Sequence, residues 1–516
     1  MRFIGIKNLR SLKNVEQIEI KPITILVGKN SSGKSTFLRT FPLLKQTIEA
    51  KTAEPILWYG KYVDFGDYDQ SKTHNEKEDI ELTFGLEIPD MSKISTKSIL
   101  FVDDRNKKIN ANATFSLKKQ VVSSINVSIK DQNFKLRFNS LSEVDSIEVN
   151  GNTFDEHYFS NYNRGTLLPE IVMVSDKGDQ MGVSLYRYFI NEELLNQIVH
   201  CLKQYSNSNT KDKTIAEGVR PELFGSHEEI LRHLMNTTAF PEGMRKNLRK
   251  ANVNDESIKK INDLIVLVSI PIIMSFICGQ IASEFTGVRY SKPLRLNAER
   301  YRRIQGLSVN EVDPSGENLE MVLNNLREKE QKAFSQWTRD TIGCEFSTTQ
   351  KDGHVSILVK DSRTNIKENL VDTGFGYSQI LPILLSVWKV DMSENASARR
   401  FLYGYIGSQS TDYYEAIEQP ELHLHPALQA KLIDVFSQLA SEEKGGKIKF
   451  ILETHSETMI NRLGYLIYKK KLSSEMVNVV IFDKDDTGNT TVSQTKFNDQ
   501  GQLEKWPIGF FDPDGV

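Results

Sequence analysis

The sequence predicts an α/β fold that carries an antiparallel β subdomain and a helical insertion. Three observations lead there. A β-branched run, a glycine-rich loop and a helical stretch follow one another over residues 23–40. Strand-like text fills about 79–149, and helix-rich text fills 190–285. From about residue 355, strands and helices alternate again.

The loop is Gly28-Lys29-Asn30-Ser31-Ser32-Gly33-Lys34-Ser35-Thr36. It fits G-x-x-x-x-G-K-[ST] at every fixed position. Ile23 to Val27 before it reads as a buried strand, and Phe37 to Thr40 after it continues a helix, which makes the P-loop unit. Backbone N–H groups in such a loop converge on one concavity and favour anionic oxygens. Gly28 and Gly33 allow positive φ and close approach to a phosphate. Lys34 supplies a point charge at the β/γ-phosphates, and Ser35 a hydroxyl for Mg²⁺. Gly28, Asn30, Ser31, Ser32, Gly33, Lys34, Ser35 and Thr36 are therefore the candidate triphosphate-binding set, with ATP and Mg²⁺ as ligands.

The length of 516 residues suits two to four domains. Basic and acidic side chains, 65 against 68, nearly cancel, so bulk charge points neither to nor away from nucleic acid. Cys201, Cys278 and Cys344 stand singly, without disulfide or zinc spacing, as expected in a reducing cytoplasm. The first residues read as a strand start, without the apolar core of a signal peptide. The apolar run Leu264 to Cys278 falls short of the roughly 20 residues that span a bilayer. It is expected to be a buried helix kinked at Pro271.

In chain order, residues 1–27 predict a hairpin that turns near Ser11 to Asn14, with strict alternation from Val15 to Ile20. Gly60 to Asp69 is expected to be a loop near the nucleotide. An antiparallel meander follows over Asp79 to Val149. Helices are expected at Glu192–Tyr205, Ser226–Met235, Asp255–Glu284 and Leu319–Thr341. No heptad pattern persists, which excludes a long coiled coil. The organisation is an N-terminal part over 1–189, a helical insertion over 190–285 and a C-terminal part over 286–516.

The remainder of the site comes late. A strand ending at Glu418, in Tyr413 to Pro426, would present that carboxylate at the sheet edge where P-loop nucleotides lie, so Glu418 is the expected Mg²⁺ residue. The next position commonly holds the carboxylate that activates water; here it is Gln419, which can orient water but accept no proton. Glu421 is the alternative base. A second strand, ending at Thr454, brings His455 to the same edge, able to donate to a γ-phosphate or hold the attacking water. His423 and His425 have no further ligand nearby in sequence and are read as structural. Upstream, Asp372 to Gln379 precedes an apolar helix, a further anion-suited helix N-terminus. Glu415, inside a buried strand, has no evident partner.

Together, the P-loop, the glycine-rich segment before a helix, the Glu418-to-Pro426 segment and Thr454-His455-Ser456 resemble, in that order, the heads of ABC-type ATPases. The variant resembles the prokaryotic ATPases of the overcoming-lysogenization-defect (OLD) and SMC-like group. Tyr290 to Arg295 with Arg300, Asp313 to Leu319, and the tail Trp506 to Asp512 also fit one of its subgroups. The resemblance covers about 1–85 and 286–516. It implies an ABC-type P-loop ATPase head that pairs with a second copy across ATP. Thr373, Gly374, Gly376 and Ser378 of one chain would then meet the γ-phosphate on the other, with His455 as the switch histidine and Gln70 nearest a Q-loop position. It further implies a cytoplasmic, membrane-free subunit of an antiviral defence system, acting beside a separately encoded effector such as a nuclease, with DNA contact possible. Two rivals are a self-sufficient OLD-like nuclease, traced only by Asp483, Asp485 and Asp486, and a DNA-repair ATPase of the SMC type. The first lacks the length for its nuclease domain, and the second lacks coiled-coil arms.

Overall fold

The computed structural model describes residues 1–50, 52, 54–90, 108–161, 164–174, 191–219, 223–295, 299–305, 311–392, 412–441 and 448–506. The tail motif beyond Trp506 lies outside them, as does the 189/190 boundary.

Two large sheets organise the chain. The first is antiparallel, in the order β2 (Leu12–Glu19), β1 (Phe3–Leu9), β4 (Ile80–Pro89), β5 (Lys108–Leu117), β6 (Val122–Ile129), β7 (Gln132–Phe138), β8 (Val144–Val149) and β9 (Asn152–Phe154). The second runs β12 (Val288–Ser291), β17 (Tyr413–Glu418), β18 (Ile448–Glu453), β3 (Ile23–Gly28), β19 (Val477–Lys484) and β20 (Thr490–Thr495). Its first five strands are parallel, and β20 closes it as an antiparallel edge. Two small sheets complete the set. One pairs β10 (Phe159–Asn161) with β11 (Ile171–Met173), and the other joins β13 (Arg302–Arg303), β15 (His354–Asp361), β14 (Cys344–Lys351) and β16 (Lys367–Asn369). The helices are α1 (Lys34–Glu49), α2 (Tyr68–Ser71), α3 (Glu192–Lys203), α4 (Asp212–Ala216), α5 (His227–Asn236), α6 (Glu242–Leu248), α7 (Glu256–Thr286), α8 (Leu319–Asn324), α9 (Glu328–Ile342), α10 (Phe375–Met392), α11 (Pro426–Ala440) and α12 (Glu457–Tyr468).

Period-two alternation explains the layering. In β3, Leu26 joins a core shared with α1, α7 and the antiparallel sheet, while Ile23, Ile25 and Val27 join a second core under α10, α11 and α12. Tyr414 and Ala416 of β17 face the first core, and Tyr413 and Ile417 the second. Both faces are covered, so the central strands read as continuous apolar runs. This is an α/β fold in which a strand–loop–helix unit, β3 to α1, sits in a mostly parallel sheet beside an antiparallel β subdomain and a run of helices from α3 to α7.

Three local expectations need correction. The hairpin turns at Arg10 and Ser11, ahead of the expected position. Strict alternation also fails, because Glu16 and Gln17 both face solvent opposite Gly5, where the register shifts as a β-bulge. A Cβ on Gly5 would lie 1.9 Å from the Glu16 carbonyl oxygen, so the bulge needs glycine there. The helix expected over Leu319–Thr341 breaks into α8 and α9, where Glu330 Oε2 accepts the Arg327 backbone N–H and starts a new helix.

The apolar run beginning at Leu264 lies within α7, a 31-residue helix that continues through Pro271 rather than breaking there. It is the one helix among the described residues long and apolar enough to cross a membrane, and 83% of its most apolar window is buried inside the protein. Its apolar length is thus accounted for by packing against α1, α3, α5 and β4.

Glu415, unpaired in the sequence, finds its partner on α10: Ser386 Oγ donates to both carboxylate oxygens, at 2.9 and 3.2 Å. Burial pushes its carboxyl up to about 7, against the opposing pull of Arg289. The folded state therefore binds this proton more tightly than the unfolded chain. The group's favourable contribution is complete below the unfolded carboxylate value and is lost as pH rises through about 7. Glu415→Gln is expected to flatten the decline in stability between pH 5 and pH 8, a differential of up to about 3 kcal/mol. Thermal melts of both proteins across that range check it, and parallel curves would contradict it.

Candidate functional site

The site lies at the C-terminal edge of the parallel sheet. β3 ends at Gly28, whose φ of 151° and position against Phe482 leave no room for a side chain: a Cβ there would lie 2.1 Å from the Phe482 carbonyl oxygen and 2.8 Å from Ser32 Oγ. Gly33, at φ 104°, caps α1 and turns the loop into the helix. Asn30 and Ser31 are exposed at the loop's crest, while Ser32 is buried and its hydroxyl has no hydrogen-bond partner. Lys34 crosses beneath the loop and donates to the carbonyls of Gly28 at 2.9 Å and Lys29 at 2.8 Å. Burial lowers its ammonium from the ordinary lysine value. Thr36 lies in the first turn of α1, where its carbonyl accepts from Thr40 Oγ1. The loop is braced from outside the motif by Thr490, at the start of β20, which donates through Oγ1 to the Ser32 carbonyl at 2.9 Å. These features make a closely fitted loop of the anion-cradling type, with one buried hydroxyl that has no hydrogen-bond partner.

Strand register sets the acidic edge. Glu418 pairs with Glu453 across β17 and β18, and Glu453 pairs with Leu26 across β18 and β3. Glu453 is therefore the carboxylate nearer the loop, and Ser35 Oγ donates to its Oε1 at 2.8 Å. Burial, then the charge of Glu418, pushes the Glu453 carboxyl up to about 6. Sequence reading gave the cation to Glu418, but Ser35 does not bond Glu418. Both Glu418 oxygens are engaged elsewhere: Arg39 donates to them from Nε and Nη2, each at 2.7 Å, and Tyr290 OH donates to Oε1 at 2.6 Å. That pairing raises Arg39 further above its ordinary value. Arg295 donates to the Glu418 carbonyl at 2.5 Å from almost full burial, and burial brings its guanidinium down to about 10.

Gln419 follows at φ 43°, a left-handed turn that aims the chain off the sheet, and its N–H donates to the Glu453 carbonyl at 2.8 Å. Glu421 is raised above the ordinary carboxylate range by burial, and its Oε1 accepts the His455 backbone N–H at 2.8 Å. The His455 imidazole is half-buried, and burial together with Lys34 lowers it, which keeps the ring neutral and able to accept or donate a proton. Glu418, Gln419, Glu421 and His455 thus share one edge with the P-loop. His425 caps α11 by accepting the Ala427 N–H at its Nδ1, and His423 packs edge-on against Phe375.

The glycine-rich segment packs against the turn that follows β17. Thr373 donates to the Leu370 carbonyl, and Gly374, at φ 87°, has open space where a side chain would go. A Cβ on Gly376 would lie 3.2 Å from the His423 carbonyl, and Ser378 Oγ turns back to the Phe375 carbonyl. Arg300 holds the segment by a two-point bond to Asp372. The loop therefore bonds within its own turn and presents Phe375, 48% exposed, at its crest. Gln70 is exposed on α2, after the Gly60–Asp69 stretch, which Gln46 of α1 grips by three hydrogen bonds to Tyr62 and Val63, with a fourth to Leu57 just before it.

Sequence reasoning missed Glu453, Arg39 and Gln46. Only Glu453 left a trace, as the acidic residue before Thr454-His455-Ser456.

The sequence family described as AAA ATPase domain matches residues 1–460. Among solved structures, similarity is found to the SMC head domain from Thermotoga maritima, at 8% identity over 96% of this chain and 98% of that one, with a TM-score of 0.34. The recombination mediator protein RecF with ATP, in the RecFOR pathway, is similar at 12% identity over 89% of this chain and 94% of that one, with a TM-score of 0.25. No curated protein matches.

Proposed function

Since the chain belongs to the AAA ATPase domain family, we propose that it is an ATP-binding, slowly hydrolysing ABC-type subunit whose heads associate in pairs when ATP binds. The observation that carries this reading is the cradle itself: a glycine-shaped loop with Lys34 fixed across it and Ser35 bonded to a buried carboxylate. In this reading Lys34 and the loop N–H groups hold the β- and γ-phosphates. Ser35 and the acidic edge hold Mg²⁺, which when bound neutralises charge on the phosphate oxygens. Gln419 orients water but takes no proton, and Glu421 or the neutral His455 receives it. That division of labour makes turnover slow. Gln419→Glu is expected to raise steady-state phosphate release; an unchanged rate would move the base to Glu421.

The glycine-rich loop completes the site in trans. Thr373, Gly374 and Gly376 lie at the outward start of α10, with Ser378 buried in its first turn, and the exposed crest is apolar, suited to closing over a partner's γ-phosphate. With a non-hydrolysable ATP analogue, the protein is expected to sediment as a dimer. Gly374→Arg, which fills the open space at that loop, should stay monomeric while its own P-loop still binds the analogue. A monomeric wild type, or a dimeric variant, would refute the sandwich.

The association would control a separately encoded effector, a nuclease by analogy with the OLD and SMC-like group, within a cytoplasmic antiviral defence system and with DNA contact possible. The self-sufficient nuclease gains no support: Asp485 accepts from Thr487 and Asn489 and closes the β19–β20 hairpin.

A further inference from the structure

We infer that Thr490, at the start of β20, is a positioning residue for the anion cradle: its hydroxyl holds the Ser32 carbonyl outward and so aims the Gly33 N–H at a bound phosphate. The inference rests on the nucleotide reading above and deepens it.

The bond is built from the β19–β20 turn upward. Asp485 accepts from the backbone N–H groups of Thr487 and Asn489 and from the Thr487 hydroxyl. Its own N–H donates to the Asn489 carbonyl at 3.0 Å. These bonds close the turn, and β20 begins with Thr490 paired to Lys484. β19 lies beside β3 with Phe482 opposite Gly28, so the turn delivers Thr490 to the flank of the P-loop. Thr490 is 4% exposed. Its backbone N–H donates to the Ser11 carbonyl at 3.2 Å, and its Oγ1 donates to the Ser32 carbonyl at 2.9 Å. One residue thus joins the β1–β2 turn to the phosphate loop.

The consequence follows from peptide geometry. A trans peptide is planar, with its C=O and N–H pointing to opposite sides. The Ser32 carbonyl and the Gly33 N–H belong to one such unit. Drawing the carbonyl toward β20 turns the N–H away from β20, to the side where the loop's donors converge. Among the described residues, no group accepts from that N–H. Gly33 has little room to drift from this pose: a Cβ on it would lie 2.9 Å from both Thr490 Oγ1 and Leu12 Cδ2. A donor fixed in this way has nothing to reorganise when an anion arrives. The acidic turn at Asp485 therefore serves the nucleotide site indirectly, by placing one hydroxyl.

The test separates the hydroxyl from the shape of the side chain. Thr490→Val keeps the volume and removes the donor, whereas Thr490→Ser keeps the donor. Affinity of the full chain for a non-hydrolysable ATP analogue is measured by calorimetry, beside a thermal melt. Thr490→Val is expected to bind about tenfold more weakly, the net contribution of roughly one hydrogen bond, with Thr490→Ser close to wild type. The aim of Gly33 is read directly by NMR. Serine labelled at its carbonyl carbon and glycine labelled at nitrogen select serine–glycine pairs, of which the chain has two, Ser32-Gly33 and Ser315-Gly316. The Gly33 amide proton should move downfield with the analogue in wild type and Thr490→Ser and move less in Thr490→Val, while Gly316 stays in place. A merely structural role would lower the melting temperature and leave that displacement unchanged. Should Thr490→Val fail to fold, Thr490→Ala carries the same comparison. Wild-type affinity in Thr490→Val, a Thr490→Ser variant as weak as Thr490→Val, or an undiminished Gly33 displacement overturns the assignment. A wild type that does not bind the analogue refutes the nucleotide reading itself, and this assignment with it.

Discussion

Lys34→Ala is expected to weaken ATP binding by about a hundredfold or more, the loss that accompanies roughly 3 kcal/mol of charged hydrogen bonding. Lys34 is only 3% exposed and its ammonium is held by two loop carbonyls, so its position is set before any ligand arrives. A preset donor spends little ordering entropy on binding, which is why its removal is costly. Alanine takes away the charge and leaves the Gly28 and Lys29 carbonyls without that donor. The loop itself should persist, because the Thr490 bond to Ser32 and the Gly33 cap do not involve Lys34. Calorimetric titration with ATP, alongside a thermal melt to confirm folding, checks the expectation. An unchanged affinity would remove the P-loop from the account.

Phe41→Ala is expected to cost about 4 kcal/mol of stability. The ring is fully buried on α1. It meets Phe37 edge-on at 5.9 Å between centroids, Phe285 of α7 at 5.8 Å and Tyr414 of β17 at 6.0 Å. These neighbours come from three different elements, so the space left by alanine cannot close by moving one of them. A lowered thermal midpoint is the readout, and a loss under about 1 kcal/mol would mean that the junction is softer than described. Because α1 carries the P-loop at its other end, ATP affinity should fall as well.

The P-loop was legible because all of its parts are neighbours in sequence. Strand β3, the glycines, Lys34 and the first turn of α1 lie within one stretch, and each residue type has a local reason to be there. The antiparallel subdomain was legible through alternation, and the long helix through its apolar length. What could not be read depended on strand order. Ser35 and Glu453 are 418 positions apart, and Arg39 and Glu418 are 379 apart. Nothing in the sequence says that β18 lies between β17 and β3, yet that order decides which glutamate meets the loop. The partner of Glu415 was hidden for the same reason, since Ser386 reaches it across a helix–sheet interface. The split of α8 from α9 was missed because apolar periodicity continues across a new N-cap at Arg327.

The shared use of the central strands by two cores has a further consequence. In β18, Ile451 packs to one side while Phe450 and Leu452 pack to the other, and Glu453 is the next residue in the same register. A slip of one position would send every apolar side chain to the opposite core and would carry Glu453 away from Ser35. Single-residue insertions or deletions in β18 should therefore be purged together with loss of nucleotide affinity, whereas the connecting loops are free to drift in length. One geometric variable serves both folding and ligand chemistry, so selection on either preserves the other.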